Sequence, residues 1–153
     1  MVLSYEDVFA HFLGNISDCQ FATLDVSEAH ELMTEWLHKV LAKTYIRRIF
    51  SSVKFDDVVE QLTYTMALVT DDESDKEFVI ELISKGMVVE WLNPQVMART
   101  NVAQMFAGKE QKFFSQSSHL KEIKDLHDNS RIEIRKMIRD RGYIYNGYLE
   151  DSQ

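Results

Sequence analysis

One proline, Pro94, and five glycines are the only strong backbone breakers in 153 residues. That scarcity excludes collagen-like and low-complexity chains, and it disfavours an architecture of many short strands joined by tight turns. Cys19 is the only cysteine, so no intramolecular disulfide can form and a secreted, disulfide-stapled scaffold is excluded. No apolar run approaches the ~20 residues that span a bilayer. The opening MVLSYEDVF is acidic and has no signal-peptide pattern. The expectation is a protein that folds in a reducing cytoplasm and has no membrane partner. Basic residues are also in deficit, 17 Lys and Arg against 25 Asp and Glu for a net charge of −8. A general nucleic-acid binder needs a basic footprint to release counterions, and this chain lacks one overall.

What is present is ordinary for a globular domain: 45% apolar and 27% charged residues, in a chain long enough for one real core. The charge is uneven. Residues 1–108 carry 8 basic against 17 acidic side chains, and residues 109–141 carry 9 against 6. A basic helix on an acidic body either lets copies attract one another head to tail or is simply a solvated face.

Helical signals dominate. Ser4, with Asp7 three residues on, caps a first helix whose apolar stripe is Val8, Phe9 and Phe12 and which Gly14 stops. Residues 15–25 read as irregular. Asp25 or Ser27 caps a second helix to about Lys43, extended by Thr44–Phe50, with Glu28 and Glu31 near its start and Leu32, Trp36, Val40 and Leu41 on one face. Residues 51–70 stay open between helix and strand. Val58, Val59, Leu62, Met66 and Val69 have helical spacing, while the β-branched Thr63-Tyr64-Thr65 favours a strand. Ser74 with Glu77 predicts a capping box for a central helix over 74–92, whose apolar surface wraps most of the way round near Val88 and includes Trp91. Asn93-Pro94 predicts a break and restart, with the new helix carrying Val96, Met97, Val102, Met105 and Phe106 and ending at Gly108. A connector over 109–115 holds Phe113 and Phe114. A long helix follows over 116–140, with a narrow stripe of Leu120, Ile123, His127, Ile134, Met137 and Ile138, and Gly142 stops it. The expected fold is therefore all-α: a small helical bundle with a long C-terminal helix over residues 1–141, and an extended C-terminal tail over 142–153.

Catalytic and metal chemistry find little support. Glu35 and His38 have ExxH spacing with Glu31 one turn before, but a di-iron bundle needs a second such motif. The acidic run Asp71–Glu77 lacks the glycine and the final glutamate of a calcium loop. No glycine-rich phosphate loop and no hydrolase motif occur. The expectation is a protein that is not an enzyme and uses no cofactor. The candidate positions are interface positions instead. Phe113 and Phe114 are either a docking anchor or a plug at the helix junction. Tyr143, Tyr145 and Tyr148 either dock on a neighbouring chain or fold back. Arg131, Arg135 and Arg139 recur every four residues and share one helix face, which meets an acidic protein, DNA or solvent.

The stretch MVVEWLNPQV…FAGKEQKFFSQSSHLKEIKDL…SRIEIRKMI…YIYN resembles the neck proteins of tailed bacteriophages, the head–tail connector or adaptor family. The elements that carry the resemblance are Trp91-Leu92…Pro94, Lys112-Phe113-Phe114-Ser115-Gln116…His119-Leu120 and the aromatic ending, over roughly residues 75–145. The resemblance implies an all-α structural protein without enzyme activity, assembled as a ring of copies beneath the portal of a DNA-filled head. Its implied partners are itself, the portal, and tail-side neck or tail proteins, with incidental contact to encapsidated DNA. The competing readings are a soluble regulatory protein-binding helical domain and a metal-dependent helical enzyme using Glu31, Glu35 and His38.

Overall fold

The structure, a computed structural model, describes residues 1–16, 25–105 and 110–143, of which 98–105, 110–120 and 143 are described by backbone alone. Among the described residues there are three strands and five helices: β1 (Val2–Ser4), α1 (Tyr5–Gly14), α2 (Val26–Ala42), α3 (Thr44–Arg47), β2 (Phe50–Asp56), β3 (Gln61–Met66), α4 (Asp72–Met105) and α5 (Glu110–Tyr143).

The expectation of an all-α fold is corrected by an antiparallel three-stranded sheet of order β1-β3-β2. Along β3, Leu62, Tyr64 and Met66 are buried while Gln61, Thr63 and Thr65 are exposed. That is the period of two that a half-buried strand requires. The helical spacing across 51–70 came from Val58 and Val59, which instead lie in the β2–β3 turn and are 93% and 57% exposed. Glu60 closes that turn at φ 54°, a left-handed conformation that costs a non-glycine residue some strain. Only three residues long, β1 carries too little pattern to register as a strand from sequence.

Several helix boundaries also differ from expectation. The N-cap of α4 is supplied by Asp71, whose Oδ1 accepts from Ser74 N at 2.9 Å, so the helix starts a turn before the Ser74–Glu77 box. No break occurs at Pro94, because α4 runs through it. Proline leaves the Glu90 carbonyl without its helical donor, and side chains reinforce that turn: Gln95 Nε2 donates to the Trp91 carbonyl at 3.4 Å and Asn93 Nδ2 to Glu90 Oε2 at 3.2 Å. The predicted connector over 109–115 is helical from Glu110 onward, and α5 passes through Gly142 to Tyr143. The predicted stop at Gly108 lies outside the described residues. With 34 residues each, α4 and α5 are about 50 Å long at ~1.5 Å per residue.

The core lies where α1, α2 and the sheet meet the first half of α4. Phe12 packs edge-on against Trp36 with centroids 5.7 Å apart. Leu37, Leu62, Leu82, Ile83 and Met87 are buried beside them. Each such side chain contributes roughly 1.5–3 kcal/mol. From Val79 to Leu92 nearly every position of α4 is buried, as the all-round apolar surface predicts, although Trp91 is only partly covered. Gly86 is needed for closeness: a Cβ there would sit 2.6 Å and 2.9 Å from the two methyls of Val40, so α2 can approach α4 only where a side chain is missing.

Candidate functional site

The face that presents the predicted arginine row is set by how α5 is rolled onto α4. Polar contacts at three points among the described residues fix the roll, in antiparallel order. At one end Arg141 pairs with Asp75, donates to the Leu68 carbonyl at 3.1 Å and lies over the Phe78 ring at 4.5 Å. Asp75 is fully buried and also accepts from Thr70 N at 3.2 Å. In the middle Lys85 Nζ meets Glu133 Oε2 at 2.9 Å. Further along, both ring nitrogens of the buried His127 face oxygen acceptors, Asn93 Oδ1 at 2.9 Å and Asp128 Oδ1 at 3.1 Å. Ile134 and Ile138 are buried between these points, and Ile123 one turn beyond His127.

With that roll, Arg131, Arg135 and Arg139 all emerge on an exposed flank of α5. The guanidinium of Arg135 sits 5.8 Å over the ring of Tyr45 from α3, a cation–π geometry. Arg139 Nε is 3.3 Å from its neighbour Asp140. The three arginines therefore share one surface, as their spacing predicts. Phe113 and Phe114 lie on the helical backbone of α5, and Tyr143 is its last residue, but their side chains lie outside the description. Tyr145 and Tyr148 lie outside the described residues altogether.

Sequence reasoning missed a second polar cluster, at the tip of the β2–β3 hairpin. Tyr5 Oη donates to Asp57 Oδ1 at 2.6 Å, and His38 Nε2 is bonded to the same oxygen at 3.0 Å. The His38 ring stacks on Phe55 with centroids 4.0 Å apart. About two turns of α2 earlier, His30 Nε2 is 3.3 Å from Glu60 Oε2. Burial first, and then Asp57, push the Tyr5 phenol far above its usual range. The hydrogen bond from Tyr5, and next that from His38, hold the Asp57 carboxyl below the usual carboxylate range. Asp57 thus ties the hairpin tip to Tyr5 at the start of α1 and to His38 of α2. The partners lie 52 and 19 residues apart, and no local pattern announces such a cluster.

The structure does not bring Glu31, Glu35 and His38 together as metal ligands. Glu35 Oε1 is engaged by Lys39 at 2.6 Å and His38 by Asp57. Among the described residues, no three His, Cys, Asp or Glu side chains are placed to hold a metal ion, and no helix is long and apolar enough to cross a membrane. Comparison with protein-family models, with curated proteins and with solved structures finds no match to this chain.

Proposed function

We propose that this chain is a structural virion protein of a tailed bacteriophage, a neck subunit that assembles as a ring between portal and tail. The observation that carries the reading is the coincidence of the resembling stretch with one structural unit. Trp91, Pro94, Lys112 to Gln116 and Leu120 all fall on the antiparallel pair of 34-residue helices α4 and α5, and that pair carries a solvent-facing arginine row on an acidic body. A long helical pair whose α5 is exposed over most of residues 121–142 suits repeated side-by-side contacts. Contacts between two different surfaces of identical subunits close into rings when the rotation permits. The partners are other copies of the chain, the portal and the tail-side neck or tail proteins, and DNA is touched incidentally as it passes.

Mass spectrometry of purified virions tests the proposal. The expected result is the protein present in fixed proportion to the portal subunit. A protein abundant in infected cells but absent from virions would instead be a regulatory binding domain.

A further inference from the structure

Resting on the ring reading above, we propose that the arginine row of α5 in one copy docks on a glutamate row of α2 in a second copy. The glutamate row is Glu28, Glu31 and Glu35, all exposed. At 3.6 residues per turn their spacing confines them to about 60° of the helix circumference and about 10 Å of its length. Arg131, Arg135 and Arg139 occupy about 80° and about 12 Å by the same geometry. The two rows therefore match in length and in number and are opposite in sign of charge.

Neither row is neutralised by the other within one chain. Among the described residues Glu28 and Glu31 make no ion pair, and Glu35 meets only Lys39 of its own helix. Among the described residues Arg139 meets its neighbour Asp140, and Arg135 meets a tyrosine ring. The rows stand on separate helices, each packed on α4. A contact between them joins two different surfaces, so it can repeat from copy to copy around a ring; a two-fold dimer would need both row-to-row contacts to form between the same two copies. Duplex DNA is the other acidic candidate for the arginines. The glutamate row and the net charge of −8 would repel it, which is why a second copy is favoured.

The test is a charge swap read by sedimentation velocity on the full chain. Arg131→Glu/Arg135→Glu/Arg139→Glu and, separately, Glu28→Lys/Glu31→Lys/Glu35→Lys should each weaken self-association at least about tenfold in ~0.1 M salt, and the wild-type association should itself weaken in ~1 M salt, where the Debye length falls to ~3 Å. An equimolar mixture of the two variants should recover association, because each variant then offers the face its partner lacks. Unchanged melting of each variant by circular dichroism keeps a folding defect from mimicking the result, and Gln replacements at the same positions serve where a reversed variant does not fold. Failure of the mixture to recover, or wild-type association by either variant, overturns the assignment. So does salt-sensitive binding of a labelled DNA duplex by wild type that the arginine variant loses while its self-association persists. None of these outcomes touches the virion measurement, so the docking assignment can fail while the neck reading stands.

Discussion

Where α1, α2 and the sheet meet α4, the contact is filled by Phe12, Trp36, Leu37, Leu62 and Tyr64, with the buried Ser84 bonded to His11 of α1 and the buried Glu90 to Lys43 beside α2. Among the described side chains of α5 the buried apolar ones are Ile123, Ile134 and Ile138, and polar contacts are interspersed with them: Asp75 with Arg141, Lys85 with Glu133, Asn93 with His127. Apolar burial is non-directional and tolerates small sliding. Hydrogen-bonded charge pairs tolerate little, because a buried partner left alone is costly. The first region thus supplies most of the stability, and the second fixes which side of α5 faces outward.

The largest effect that can break this contrast is expected at Arg141. Removing it leaves Asp75 buried and unpaired, so Arg141→Ala should cost about 3–5 kcal/mol in denaturant unfolding. An effect below about 1 kcal/mol would mean that the isoleucine seam, not the ion pair, positions the helix. In the apolar region Leu82→Ala should cost about 2–5 kcal/mol through its cavity, and hydrogen exchange should accelerate over α1, α2 and the sheet together. Acceleration confined to α4 would divide the core in two.

Gly86→Ala sharpens the comparison at the α2–α4 crossing. The added methyl meets the stiff, β-branched Val40, so overpacking of about 1–3 kcal/mol should outweigh the gain of up to ~1 kcal/mol in helix propensity. A stabilised variant would show that the helices can separate. At the hairpin tip the expected effect is smaller, because Asp57 is exposed. Its folded pKa is lowered, so its contribution is present above the ordinary carboxylate range and is lost as pH falls through the lowered value. Asp57→Asn should remove that acid-side dependence, and an NMR titration placing the wild-type carboxyl at or above the usual range would contradict the bonding described. The smallest change is expected at Tyr64. Its phenol is pushed up to about 12 by burial and then by Asp75 and Asp72, and its hydroxyl has no hydrogen-bond partner among the described residues. Tyr64→Phe should shift stability by less than ~1 kcal/mol, in the stabilising direction.

Sequence periodicity made the helical half legible: the caps at Ser4 and Asp25, the stripe through Trp36 and Val40, and the apolar girdle of α4 all correspond to observed elements. It failed where two patterns overlapped. Thr63 to Thr65 had the composition of a strand, but the turn valines Val58 and Val59 added a false helical period. At Asn93-Pro94 the local rule for proline was outweighed by side chains of Glu90, Asn93 and Gln95 that a one-dimensional reading does not bring together. The arginine row was legible because it needs only the helical period. The Tyr5–Asp57–His38 cluster was not, because tertiary structure alone makes neighbours of its members.

The central claim is that the chain joins head to tail, and an early stop codon in its gene tests that most directly. Electron microscopy of the resulting lysate should show DNA-packaged or DNA-leaking heads separate from complete tails, with joined particles restored when the protein is supplied from a plasmid. Joined, infectious particles in its absence would contradict the account.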